Sequence, residues 1–128
     1  MDFEENRSAG IMWEYRIKVI RVVDGDTIDA RIDLGFKVHI NVRVRVYGIN
    51  TPEVRTRDLE EKARGKAASN RMKELLKLAD DVSVKSLGVD KFGRCLGIVM
   101  VEGGGRKYSV AEQLIKEGHG VEYFGGKR

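Results

Sequence analysis

One cysteine, one proline, one tryptophan and two histidines are all that 128 residues contain of these types, and each scarcity removes a class of protein. The lone Cys95 has no partner for an internal disulfide, so the chain is no disulfide-stapled secreted scaffold, and a reducing compartment suits it. Between Arg94 and Leu96, close to Ile98 and Val99, Cys95 reads as a buried strand residue. His39 and His119 match no metal-ligand spacing and read as structural. No apolar run approaches the roughly 20 residues that a helix needs to cross a bilayer. The opening MDFEENRSAG is acidic and has no apolar segment of the kind a secretory signal requires. These absences predict a cytoplasmic protein without a membrane partner.

With 41% hydrophobic and 34% charged residues, the composition is that of one ordinary globular domain, long enough to bury a core unaided. Net charge is +4, but the acids are concentrated at the start. Residues 11–128 hold 23 basic against 17 acidic side chains, a net +6 that favours a polyanionic partner.

Apolar alternation then divides the chain. Trp13, Tyr15, Ile17 and Val19 share one parity before the phase slips to Ile20, Val22 and Val23, which predicts a bulged strand of the kind small barrels need. Asp24 to Thr27 form a tight turn, Ile28 to Leu34 alternate as a second strand, and Gly35 opens another turn. A third strand follows with Val38, Ile40, Val42, Val44 and Val46 facing the core, while Arg43 and Arg45 point away from it. Asp58 at an N-cap, with Glu61 three residues on, starts a helix over 59–79 whose predicted apolar stripe is Ala63, Ala67, Ala68, Met72, Leu75, Leu76 and Ala79. Gly65 inside that helix suggests close packing. Two further strands, around 82–87 and 96–101, flank a turn at Asp90 to Gly93. A short helix begins after Ser109 and ends at Gly118. The pattern predicts an α+β chain built on a five-stranded β-barrel of the OB type with two or three helices. Its expected divisions are a flexible arm (1–12), the barrel domain (13–124) and a loose basic tail (125–128).

The unusual polar residues collect in three bends: DGDT at 24–27, the end of RVRVYGINTPE at 43–53, and DKFGR at 90–94. The single proline, Pro52, restricts both itself and Thr51, so the second bend is stiff. Taken alone, Asp24 and Asp26 also suit an ordinary turn, and Arg94 an exposed turn position.

In this order and spacing the three motifs resemble the staphylococcal nuclease (thermonuclease) family, over about residues 14–124. The resemblance implies Arg45, Glu53 and Arg94 as the catalytic set, with Glu53 activating water and the two arginines clamping phosphate. It further implies calcium, or another divalent metal, held by Asp26, Asn50 and the Thr51 carbonyl and supported by Asp24. Lys91, Tyr123 and Phe124 fall at substrate-binding positions, although a solvated surface lysine is the simpler reading of Lys91 and core packing suits the two aromatics equally well. The implied function is metal-dependent hydrolysis of DNA and/or RNA with little sequence preference. The alternative is a catalytically weakened OB-type module that binds nucleic acid or a protein partner. One departure stands out, because the family usually has an aspartate where this chain has Asn50.

Overall fold

The computed structural model describes residues 13–125. The expected arm of residues 1–12, and all of the basic tail except Gly125, lie outside the described residues. Strand β1 (Trp13–Asp24) turns at Gly25 and Asp26 into β2 (Thr27–Asp33), which pairs antiparallel with β3 (His39–Val46). The expected slip is present as breaks in the β1–β2 register between Val19 and Arg21 and between Val22 and Asp24. Such bulges sharpen the coiling of the strand. After helix α1 (Leu59–Leu78), β5 (Asp81–Val89) pairs with both β1 and β6 (Cys95–Gly103). Parallel pairing of Val44–Val46 with Cys95–Gly97 closes the five strands into a mixed barrel of order β3, β2, β1, β5, β6. Two helices accompany it among the described residues, the second being α2 (Val110–Lys116).

Ile28, Val44, Val46, Val84, Val99 and Val101 fill the barrel, and Met72 and Leu75 of α1 close one end. The caps expected from sequence are in place. Asp58 accepts hydrogen bonds from the N–H groups of Glu60 and Glu61, and Ser109 accepts one from Glu112. No helix among the described residues is long and apolar enough to cross a membrane.

Several local expectations are corrected. Val38 and Ile40 are on the predicted parity but remain 50% and 42% exposed, because the β2–β3 hairpin runs past the closed part of the barrel. Trp13 is likewise exposed at the start of β1, and Cys95 is only half-buried at the first position of β6. The buried face of α1 is Gly65, Ala68, Ser69, Met72 and Leu75, leaving Ala63 and Ala67 exposed. Three short strands were not foreseen. They are β4 (Gly48–Asn50), β7 (Arg106–Ser109) beside β6, and β8 (Val121–Tyr123) paired antiparallel with β4. The β4–β8 pair fastens the end of the chain to the bend that carries Asn50.

Candidate active site

Local chemistry assembles the first half of the site at the β1–β2 turn. Asp26 is only 8% exposed, and its carboxylate accepts from the Thr27 hydroxyl at 2.9 Å and from the Thr51 N–H at 3.0 Å. One side chain therefore clamps the turn to the 51–53 bend. Asp24 accepts from the Val54 N–H, and its carboxyl is pushed above the ordinary aspartate range, first by burial and then by the negative charges of Asp26 and Glu53. Glu53 itself is exposed on the loop beyond Pro52. Beneath it lies Gly65 of α1, where a Cβ would stand 2.6 Å from the Glu53 carbonyl oxygen and 2.8 Å from that of Pro52. The suspected close packing is real, and it seats the Glu53 loop on the helix.

A basic, aromatic groove of about 520 Å³ forms the second half, between the end of β3, the 90–94 turn and β8. Asp90 shapes the turn by accepting from the N–H groups of Phe92 and Arg94, and its other oxygen takes the Arg94 Nε at 2.7 Å. Burial works to raise the Asp90 carboxyl, but those three hydrogen bonds and the Arg94 charge outweigh it and hold the group below its ordinary range. Lys91 and Arg94 both lie over the Phe92 ring, at 5.3 and 5.2 Å from its centroid. Tyr47 packs against Phe124 with centroids 5.3 Å apart.

Arg45 joins the halves. Although it leaves the strand on the outward parity, its side chain is only 12% exposed and folds across the barrel end. Nη1 donates to the carbonyl of Val46 at 2.7 Å and of Asp26 at 3.4 Å, Nη2 lies 3.7 Å from the Asp26 carboxylate, and the guanidinium carbon is 5.8 Å from the Tyr123 ring.

Comparison with known proteins bears on this arrangement. Residues 43–127 match the family model described as "Staphylococcal nuclease homologue". The chain belongs to the staphylococcal nuclease family. It is 35% identical over 118 residues to "Endonuclease YhcR" of Bacillus subtilis, covering 87% of this chain and 9% of that protein. It is also 34% identical over 86 residues to "Micrococcal nuclease" of Shigella flexneri, covering 67% of this chain and 42% of that protein. This chain thus spans less than half the length of either relative.

Within this family member, the structure brings Arg45, Lys91, Arg94, Tyr123 and Phe124 into one groove and sets Asp24, Asp26, Thr51 and Glu53 around one bend. Asn50 lines a different cavity, together with Thr51 and Pro52. Phe92 was missed as a groove residue, although its position inside DKFGR between two cations was the signal. Tyr47 shares the outward parity of Arg43 and Arg45, and nothing in the alternation of β3 marks its contact with Phe124.

The oxygen donors suit a hard cation. Asp24 and Asp26 repel each other, and the Thr51 hydroxyl is buried without a hydrogen-bond partner. Among the described residues no three His, Cys, Asp or Glu side chains form a ready ligand set. A divalent ion here would therefore rely on at most two carboxylates, completed by amide, backbone and water oxygens.

Proposed function

We propose that this chain is a metal-dependent nuclease that hydrolyses phosphodiester bonds of DNA and/or RNA with little sequence preference, with calcium the expected ion. The observation that carries this reading is the nearly buried Arg45, held by Asp26 on one side and beside the Tyr123 ring of the cationic groove on the other. Asp26, with Asn50 and Thr51 and with support from Asp24, would hold the ion, which when bound neutralises these carboxylates and draws charge from a phosphate oxygen. The phosphodiester is gripped by Arg45 and by the terminal amino groups of Arg94, whose Nε is already committed to Asp90. Glu53 takes a proton from water as the water oxygen bonds to phosphorus. The P–O5′ bond breaks and its oxygen gains a proton from solvent, leaving a 3′-phosphate end as in the resembled family. Tyr123 and Phe124 stack on a neighbouring base.

The test is incubation of plasmid DNA and single-stranded RNA with calcium, with other divalent metals and with chelator, alongside Glu53→Gln. Cleavage that needs metal and falls by about 10²–10⁴-fold in Glu53→Gln, at nearly unchanged substrate affinity, supports the reading. Affinity for nucleic acid without turnover in any metal would leave a binding module instead.

A further inference from the structure

Apart from the metal-ligand roles proposed for Asn50 and Thr51, the cavity they line takes no part in the mechanism above. Asn50, Thr51 and Pro52 form its floor, α1 contributes Glu61, Arg64 and Ala67 on one side, and residues 118–121 make the other, enclosing about 540 Å³. The far wall is fixed. A Cβ on Gly120 would stand 2.7 Å from the Ile49 side chain and 2.9 Å from the Asn50 carbonyl oxygen, so glycine lets this segment lie directly on β4. Two turns along α1 from Arg64, Arg71 binds Glu117 through Nε at 2.6 Å and Nη2 at 3.1 Å and ties the helix to the end of α2. Arg64, on the same face, has no ion pair or hydrogen bond among the described residues.

A rigid groove with one unengaged guanidinium, an imidazole (His119) and a small side chain (Ala67) at its side suits an anion carried on a flat, extended chain. We infer that this groove is a second subsite for the nucleic-acid strand. It receives a nucleotide beyond the Tyr123 and Phe124 groove. Arg64 holds its phosphodiester, and His119 and Ala67 flank its sugar or base. This rests on the nuclease reading and extends it to a substrate that reaches both cavities walled by β8, at Val121 and at Tyr123. Glu61 opposes the phosphate from the same wall, so neutralising it strengthens binding.

The experiment is fluorescence anisotropy of the full chain in chelator, with labelled single-stranded DNA of about 12 nucleotides, a span within that of OB-type sites, and with a dinucleotide. Arg64→Ala should weaken binding of the longer strand roughly fivefold to tenfold and lower its salt slope by about 0.7, as expected for one lost phosphate contact. Ala67→Leu fills the groove without changing charge and should weaken the longer strand severalfold, while Glu61→Gln should tighten it. Lys77→Ala, at the other end of α1, controls for simple loss of charge. Equal losses in Arg64→Ala and Lys77→Ala, wild-type affinity in Ala67→Leu, or equal losses for the dinucleotide and the longer strand would overturn the subsite. Groove-dependent binding without cleavage in any metal would instead refute the nuclease reading and leave the subsite standing.

Discussion

Gly65→Ala tests how the Glu53 loop is positioned. The added methyl would sit 2.6 Å from the Glu53 carbonyl oxygen and 2.8 Å from both the Glu53 carbonyl carbon and the Pro52 oxygen, whereas ordinary contact begins near 3.4 Å. Something must therefore move by about 0.8 Å. The helix is poorly placed to yield, because Met72 and Leu75 are sunk in the core and each contributes about 1.5–3 kcal/mol by burial. The loop, with Glu53 exposed, is the softer side. Overpacking of this kind costs about 1–3 kcal/mol, against about 1 kcal/mol gained from replacing glycine in a helix, so the net change lies between neutral and about 2 kcal/mol destabilising. Turnover should respond far more, since displacing a catalytic group by about 1 Å can cost on the order of 10²-fold. Melting by circular dichroism and plasmid cleavage at saturating metal read the two effects separately. Turnover within twofold of wild type in Gly65→Ala, with Glu53→Gln inactive, would show that catalysis does not depend on how α1 seats the loop.

Three further outcomes are expected. Asp24→Asn keeps an acceptor for the Val54 N–H but removes a carboxyl whose folded pKa is raised, a group that destabilises the fold once pH exceeds its unfolded value. The variant should therefore melt higher at neutral pH, with the gain vanishing in acid below the ordinary aspartate range; a gain constant with pH would disprove the raised pKa, and with it the burial and repulsion that cause it. Asn50→Asp restores a negative charge beside the bend and should tighten calcium binding in calorimetric titration, whereas unchanged or weaker affinity would remove position 50 from the metal's ligands. In Arg64→Ala, binding of a non-cleavable single strand should fall with salt with a log–log slope of about −2 if Arg45, Lys91 and Arg94 each meet a phosphate, and a flat response would exclude that contact set.

The barrel was legible because each strand has two-residue periodicity and each turn carries its own chemistry, as at Asp24 to Thr27 and at Asp90 to Arg94. Where periodicity alone decided, it erred in a consistent direction. Val38 and Ile40 have the right parity, but burial also requires a facing element, and the β2–β3 hairpin outruns one. Ala63 and Ala67 fit a helical stripe, but the face of α1 is set by what must approach it. Gly65 and Ser69 face the fold because the Glu53 loop and the barrel end come within contact there, which shifts the stripe around the helix.

The candidate site was legible by residue type but not by grouping, and β8 explains the difference. Three residues pairing with three residues of β4 leave no periodic trace in HGVEYFGG, and their partner lies more than 70 positions earlier. Yet this pairing determines which side chains share a cavity. It carries Tyr123 to the guanidinium of Arg45 and Phe124 to the ring of Tyr47, completing the cationic groove. The segment before it, Gly118 to Gly120, is laid over Asn50 and closes the second groove. One short strand therefore walls both cavities, through Val121 in one and Tyr123 in the other. A change that unpairs β8 should disturb strand binding in both cavities together, while leaving the buried contacts of Asp26 with Thr27 and Thr51 intact.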